Sequence, residues 1–265
     1  MSPRRRVLVL LVAGVVLVAA VAFGVRWFAG LGPAVDPDSR PDQAAPGPVL
    51  LVPGYGGSRE SLGALAARIE ATGRDAEVLT LAGDGTGDLG AQVEVLDEAV
   101  DARLAAGAPS VDVVGYSAGG VVAGLWVARE EGAARARRIV TIGSPLTGTA
   151  VAAAGAASAP DACPVACRQL APGSGELAEL ARARVGGAVP WLSIWTADDQ
   201  TVTPPDSARL DGAVNVELQS VCPTARVGHG GLPNDPAVTG LVLRGISADP
   251  LAPPTDCASL RATPG

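Results

Sequence analysis

The sequence predicts an α/β fold with a mostly parallel sheet and helices on both of its faces. Short apolar runs alternate with segments whose apolar residues have helical spacing, as in repeated βαβ units. The run VLLV at 49–52 contains no polar residue, which is typical of a strand buried on both faces. Hydrophobic residues make up 48% of the 265 residues, which is enough for a sizeable core.

The predicted elements follow one another from residue 49. We expect strands at 49–52, 76–81, 111–115, 137–143, 189–195 and 213–218. We expect helices at 59–71, 90–106, 118–130 and 236–245. The last helix has Pro236 in its first turn and Asp235 as its predicted N-cap. Residues 144–175 are rich in Ala, Gly and Pro, and we expect a loop excursion there and no second domain.

The N-terminal residues 1–29 predict export or membrane anchoring. The basic stretch MSPRRR precedes 19 uncharged residues at 7–25, which can just span a bilayer core. Basic residues on this side keep the N-terminus in the cytoplasm. Residues 1–29 are therefore either a retained single-pass anchor or a signal peptide cleaved near AVA at 20–22, which would make the protein secreted. Both alternatives place the domain outside the cytoplasm.

Residues 30–48 are rich in Pro, Gly and Asp and predict a flexible linker, so that the remaining domain occupies 49–265.

An even number of cysteines in an oxidising compartment predicts disulfides. Proximity in sequence favours one pair within CPVAC and a second pair downstream, and free buried thiols are the alternative. The favoured pairs are Cys163–Cys167 and Cys222–Cys257.

Composition excludes several functions. All 20 basic residues are arginines, so Schiff-base and Ser-Lys chemistry are excluded. The single histidine and the lack of a CxxC pair exclude a zinc site built on several histidines or on thiolates. Residues 30–265 contain 16 arginines against 27 acids, which disfavours nucleic acid as a partner. No dinucleotide signature follows the first strand, and we predict no metal and no cofactor.

The stretch VVGYSAGG at 113–120 surrounds Ser117 with small residues. The spacing is G-x-S-x-G, which in a strand-to-helix turn exposes the serine hydroxyl as a nucleophile. A predicted strand precedes the motif and a predicted helix follows it. The alternative is a chance match, because the chain contains 34 glycines.

With this motif in its setting, the sequence resembles the small bacterial lipases and esterases of the α/β-hydrolase fold. Four further segments carry the likeness, in the order that the family uses. Pro53 and Leu146 replace histidines that the family usually has in the first two of them. The segments are VLLVPGYGGS (49–58), TIGSPLTGT (141–149), SIWTADDQTV (193–202) and VGHGGLP (227–233).

The resemblance implies a catalytic triad with Ser117 as nucleophile and His229, the only imidazole, as base. It implies Asp199 as the acid, with the adjacent Asp198 as the main alternative. Asp206 and Asp211 are more remote alternatives for the acid. The lone histidine could also be an ordinary polar surface residue.

The resemblance also implies an oxyanion hole made by the backbone N–H groups of Tyr55 and Ala118. A plain turn after the first strand is the alternative for the loop around Tyr55.

The implied activity is hydrolysis of carboxylic esters through an acyl-enzyme intermediate. Acyl transfer and thioester hydrolysis use the same residues and stay open, as does a catalytically silent, membrane-tethered binding protein. No long amphipathic insertion marks a lid, which favours short or medium acyl chains. We expect a lipid or small ester as substrate, contact with the membrane through the N-terminal segment, and a monomer.

Overall fold

The computed structural model describes residues 40–254 and 256–262. The predicted N-terminal segment 1–29 lies outside the described residues, as does the linker up to residue 39. Within the described part, six parallel strands form one sheet in the order β2-β1-β3-β4-β5-β6. These strands are β1 (Val49–Val52), β2 (Ala76–Val78), β3 (Val111–Tyr116), β4 (Ala136–Ile142), β5 (Trp191–Trp195) and β6 (Val214–Glu217).

Helices connect and flank the strands. They are α1 (Glu60–Glu70), α2 (Leu89–Ala105), α3 (Ala118–Arg129), α4 (Gly132–Arg135), α5 (Ala150–Ser158), α6 (Val165–Gln169), α7 (Gly175–Ala183), α8 (Val185–Ala188), α9 (Leu218–Val221), α10 (Pro236–Gly245) and α11 (Cys257–Arg261). Short 3₁₀ turns occur at Pro160–Ala162, Pro205–Ala208 and His229–Asn234.

The sheet is covered on both faces, as predicted. Successive side chains of a strand point to opposite faces. Leu50 accordingly packs in one apolar cluster with residues of α2 and α3. Leu51 packs in a second cluster with residues of α1 and α10. This double burial explains the uninterrupted apolar run of β1 and the mainly apolar sequences of β3 and β5.

The predicted strands and the four predicted helices are present, with small shifts at their ends. The largest shift is in the second strand, which covers Ala76–Val78 instead of 76–81. The helix expected at 236–245 has those bounds. Its predicted N-cap is confirmed, because Asp235 Oδ1 accepts from the N–H groups of Ala237 at 2.8 Å and Val238 at 3.1 Å.

The expectation of a loop excursion at 144–175 is wrong for much of that segment. Residues 150–158 form α5, and residues 165–169 form α6. Six of the nine residues of α5 are alanine, the residue with the highest helix propensity, and Thr149 caps the helix through the Val151 N–H. Alanine content signalled helix here, although glycine and proline nearby suggested a loop.

The cysteines form both of the predicted pairs. Cys163, which precedes α6, is bonded to Cys167 in the middle of that helix, and a Cβ added to Gly155 of α5 would lie 3.3 Å from Cys167 Sγ. The first disulfide thus packs against α5. Cys222, which follows α9, is bonded to Cys257 at the start of α11.

Residues 40–48, the described part of the predicted linker, lie against the domain. Arg40 Nη2 donates to the Gly187 carbonyl at 2.8 Å, and Gln43 Nε2 donates to the Arg137 carbonyl at 3.1 Å.

Across 40–254 and 256–262, no helix combines the length and the apolar character that crossing a membrane requires.

A buried ion cluster lies at the amino end of β3. Asp112 Oδ2 pairs with Arg74 Nη2 at 2.7 Å and with the buried guanidinium of Arg137. Arg137 also donates to the carbonyls of Ile246 and, at 2.9 Å, Ser247, just beyond the C-terminus of α10. Positive charge is favourable at a helix C-terminus. The cluster therefore fixes the end of α10 against the sheet.

Glycines allow the start of α3 to approach two neighbouring strands. A Cβ added to Gly119 would lie 2.2 Å from the Val52 carbonyl oxygen at the end of β1. A Cβ added to Gly120 would lie 2.0 Å from Ser144 Oγ, just beyond β4. Gly115 faces Gly120, with 2.6 Å between its added Cβ and the Gly120 Cα. Any larger residue at these positions would push the strand-to-helix turn away from the sheet.

We expect Gly119→Ala to lower the free energy of unfolding by about 3 kcal/mol, the upper end of overpacking effects, because backbone atoms meet the new methyl group. Gly63→Ala is the matched control, because a Cβ at Gly63 in the exposed face of α1 meets no atom within 4 Å. That control should raise the free energy of unfolding by about 0.5–1 kcal/mol. Urea denaturation measures both, and equal stability of the two variants would contradict the packing argument.

Candidate active site

Ser117 occupies a strained turn between β3 and α3. Its backbone has φ 53° and ψ −125°, a conformation that residues with a side chain rarely adopt. The Ser117 N–H donates to the Ile142 carbonyl at 2.8 Å, which ties the turn to the end of β4. The surrounding glycines leave room for this geometry. The turn thus holds the serine hydroxyl at the carboxyl edge of the sheet.

His229 contacts Ser117 from the glycine-rich loop that precedes α10. Its Nε2 lies 2.9 Å from Ser117 Oγ, and its Nδ1 lies 2.7 Å from Asp199 Oδ2. A carboxylate only accepts hydrogen bonds, so the proton of the neutral imidazole belongs on Nδ1. The lone pair of Nε2 then faces the serine hydroxyl, which is the arrangement that general-base chemistry requires.

The structure brings Asp199, and not Asp198, into contact with the imidazole. Asp199 is buried, and its second oxygen, Oδ1, accepts from the N–H groups of Thr201 at 2.9 Å and Val202 at 2.8 Å. These bonds orient the carboxylate toward the histidine. The Asp198 carboxylate instead accepts from Gln219 Nε2 at 3.4 Å, on the other side of the turn.

The two remaining alternatives for the acid lie elsewhere. Asp206 is exposed in the 3₁₀ turn Pro205–Ala208, and Asp211 is exposed in the turn before β6. The His229 ring contacts neither of them in the described part of the chain.

The two predicted oxyanion donors lie on either side of the serine turn, one at the start of α3 and one in the loop after β1. Ala118 is the first residue of α3, where N–H groups have no intrahelical acceptor. Tyr55 follows Gly54, and a Cβ added to Gly54 would lie 3.0 Å from Ser117 Cβ. The loop is a turn closed by a 3.0 Å bond from the Gly57 N–H to the Gly54 carbonyl. The segment around Tyr55 is therefore a turn that passes close to Ser117.

Tyr116 contacts His229, and the sequence analysis did not single it out. Its ring stacks on the imidazole with centroids 5.2 Å apart and planes at 28°, and its hydroxyl donates to the His229 carbonyl at 3.1 Å. Burial, and secondarily the charge of Asp199, raise the pKa of Tyr116 to about 12. The motif G-Y-S offered no signal for this role, because the contact depends on where the distant loop folds.

Helices α5 and α6 border the same edge of the sheet. The residues before α5 bind the loop that carries Asp199, because Thr149 Oγ1 donates to the Thr201 carbonyl at 2.8 Å. In α6, the Ala166 N–H donates to the Thr86 carbonyl at 3.2 Å. The adjacent Gly85 accepts, through its carbonyl, a 3.4 Å bond from the Gly56 N–H of the Tyr55 loop. The two helices thus connect the loops on either side of Ser117.

Three large apolar side chains are exposed among the described residues, and all of them lie on this border. They are Tyr55 at 44%, Val151 at 50% and Val165 at 38%. We call these three residues the apolar rim. The described residues contain no group of three or more His, Cys, Asp or Glu side chains that could hold a metal ion.

We expect the stability of the protein to fall between pH 10 and about pH 12, because Tyr116 keeps its proton in the folded state until about pH 12. An unfolded tyrosine loses its proton near pH 10, so the stabilisation is complete below that pH and is lost above it. The Tyr116→Phe variant should lack this part of the fall, on the order of 2 kcal/mol. Urea denaturation at pH 9 and pH 11.5 measures the difference, and equal pH dependence in both proteins would contradict the assigned pKa.

Comparison with known proteins places the chain by structure alone. No family model matches the chain, and no curated protein does. The structure is similar to that of Aspergillus fumigatus lipase B, with a TM-score of 0.64 and 19% identity over 82% of this chain; the match covers only 55% of that lipase. It is also similar to the mature lipase BlEst2 of Bacillus licheniformis, with a TM-score of 0.57 and 18% identity, over 75% of this chain and 90% of that one.

A third similar structure is the lin2722 gene product of Listeria innocua. The TM-score is 0.57 and the identity 15%, over 78% of this chain and 96% of that one. At these identities the likeness concerns the fold. The described chain has the α/β-hydrolase fold.

Proposed function

We propose that this protein is a serine hydrolase that cleaves carboxylic esters through Ser117, His229 and Asp199. One observation carries the proposal: the continuous pair of hydrogen bonds, 2.9 Å and 2.7 Å, that joins serine, imidazole and carboxylate. These distances lie within the range in which a base can take a proton from a nucleophile. The similar lipase structures support the same class of reaction.

In the proposed reaction, Ser117 Oγ adds to the ester carbonyl carbon and its proton moves to His229 Nε2. The carbonyl electron pair moves to the oxygen, and the N–H groups of Tyr55 and Ala118 donate to the resulting oxyanion. The intermediate collapses and expels the alcohol, which takes the proton from Nε2. Water then repeats the sequence on the acyl-enzyme, and the acid is released. Asp199 holds the imidazole tautomer and stabilises its cation.

The position of Ala118 supports its role in this step. The N–H groups at the start of α3 point along the helix axis, and the helix macrodipole adds partial positive charge there. Such preorganised donors stabilise a developing oxyanion more effectively than water does, and each donor typically contributes a factor of about 10²–10³ in turnover.

The apolar rim supports an ester with an apolar acyl part as substrate. Tyr55, Val151 and Val165 leave apolar surface open to solvent on the loop and helices that border the carboxyl edge of the sheet, and an acyl chain would cover such surface. The insertion at 144–175 contributes only short helices, α5 of nine residues and α6 of five, and on this ground we propose short or medium acyl groups. Acyl transfer and thioester hydrolysis would use the same residues. Identification of the product distinguishes transfer to another acceptor from hydrolysis.

The two disulfides support a location outside the cytoplasm, where thiols become oxidised. We propose that the N-terminal apolar segment delivers the domain there, either as a membrane anchor or as a cleaved signal peptide.

We expect Ser117→Ala to abolish hydrolysis of p-nitrophenyl esters while the protein stays folded, because the nucleophile is lost. Asp199→Asn should lower kcat by about 10⁴, because the amide favours the wrong imidazole tautomer. Asp198→Asn, its neighbour in sequence, is the matched control and should keep kcat close to the wild-type value.

Steady-state kinetics on esters of increasing chain length measure all three variants. A loss of activity in Asp198→Asn together with an active Asp199→Asn would overturn the assignment of the acid. Full activity of Ser117→Ala would overturn the proposed function itself.

A further inference from the structure

The segment that carries His229 is rich in glycine and continues as the 3₁₀ turn His229–Asn234. Glycines occupy positions 228, 230 and 231, and glycine restricts the backbone less than any other residue. A base on such a loop would sample many positions unless other elements hold it. Precise placement matters, because a displacement of about 1 Å at a reacting group can lower the rate by about 10².

Packing holds the later part of this segment, since Leu232 and Pro233 are buried, whereas a few polar contacts hold the part around His229. Asp199 binds the imidazole, and Thr196 Oγ1 donates to the Val227 carbonyl at 2.9 Å. The Gly231 N–H donates to the Gly228 carbonyl at 3.0 Å, which closes the loop on itself without attaching it to the sheet. The backbone of His229 itself is attached to the sheet by the 3.1 Å bond from the Tyr116 hydroxyl.

We propose that Tyr116 is a positioning residue for the reaction, which holds His229 at Ser117 through its stacked ring and its hydroxyl bond to the His229 carbonyl. This inference rests on the proposed function. Tyr116 immediately precedes Ser117 and is the last residue of β3. The strand that presents the nucleophile therefore also fixes the base, so that any shift of the turn moves both groups together.

The surroundings of Tyr116 suit this role. Its side chain is buried against the second apolar cluster, so the ring is held by packing before it contacts the imidazole. Burial and the charge of Asp199 raise its pKa, so the phenol remains a donor at any pH at which the triad would work. The bond runs to a backbone carbonyl and leaves both imidazole nitrogens for Asp199 and Ser117.

The test compares Tyr116→Phe with the wild-type protein. Phenylalanine keeps the ring and its packing and removes only the hydroxyl. We expect kcat on p-nitrophenyl butyrate to fall about tenfold with KM changed by less than about twofold, since the base is misplaced while the substrate contacts are intact.

The matched control is Ser193→Ala. Ser193 is also buried, and its Oγ donates to the Ala208 carbonyl at 2.6 Å, away from the histidine loop. This variant loses that bond and also the 3.1 Å bond that Ser193 Oγ accepts from Thr141 Oγ1, so it disrupts at least as much buried hydrogen bonding, and its kcat should stay within about twofold of the wild-type value. Thermal unfolding of both variants shows whether they lose similar stability. An equal fall of kcat in both variants would overturn the proposal, because loss of stability would then explain the effect.

Proton NMR gives a second measurement that does not need turnover. His229 is the only histidine, so the downfield resonance of an imidazole N–H bound to a carboxylate belongs to it. We expect this proton to exchange with water about tenfold faster in Tyr116→Phe than in Ser193→Ala, since the loop opens more often. Unchanged exchange together with unchanged kcat would overturn the proposal.

The two proposals fail in distinguishable ways. If the wild-type protein hydrolyses no ester, the proposed function fails, while the exchange rate still decides whether Tyr116 holds the histidine. If the wild-type protein is active and Tyr116→Phe matches it in both measurements, only the role of Tyr116 is wrong.

Discussion

The close approach of α3 to the ends of β1 and β4 is the constraint on which the rest of the site depends. Gly119 lies against the Val52 carbonyl and Gly120 against Ser144, at distances that no side chain would allow. This packing forces Ser117 into its positive-φ conformation between strand and helix. It also brings the loop after β1 beside the serine. The strained turn and the neighbouring N–H groups therefore have one structural cause.

The base is positioned by a different principle. His229 lies on a glycine-rich segment, and contacts from the ends of two strands, β3 and β5, hold it in place. Asp199 follows β5 and binds Nδ1, Tyr116 ends β3 and binds the carbonyl, and Ser117 lies at Nε2. At the opposite end of the sheet, the Arg137 cluster fixes the C-terminus of α10, the helix that follows the loop. Regular elements on both sides thus define the place of the segment that carries the base.

Much of the fold could be predicted because the parallel strands are buried on both faces, because α1 has one apolar stripe, and because α10 begins at a recognisable Asp-Pro pair. These patterns are local, and they located β1, β3 and α10 closely. The segment 144–175 was harder, because alanine, glycine and proline occur together and their effects on helix formation oppose one another. Helix α11 contains five residues and depends on the disulfide at Cys257 and on packing of Leu260, neither of which leaves a periodic pattern.

The candidate site likewise contains residues that a local sequence pattern identifies and residues that it does not. The motif around Ser117 and the single histidine could be recognised from the chain alone. The preference for Asp199 over Asp198 came from a resemblance, because two adjacent carboxylates differ only in the direction that the turn gives them. Tyr116 could not be found at all, because its contacts join residues 113 positions apart in the sequence. Roles that arise from tertiary contact leave no local signal.

The proposed activity requires that Ser117 is a nucleophile activated by His229. Covalent labelling with a fluorophosphonate, followed by peptide mapping, tests this requirement, because the probe reacts with an activated serine whatever the natural substrate is. We expect a single adduct on Ser117, absent from His229→Ala and retained in Ser220→Ala, which changes an exposed serine in α9. If the folded wild-type protein takes up no probe, or takes it up at another residue, Ser117 is not the activated nucleophile.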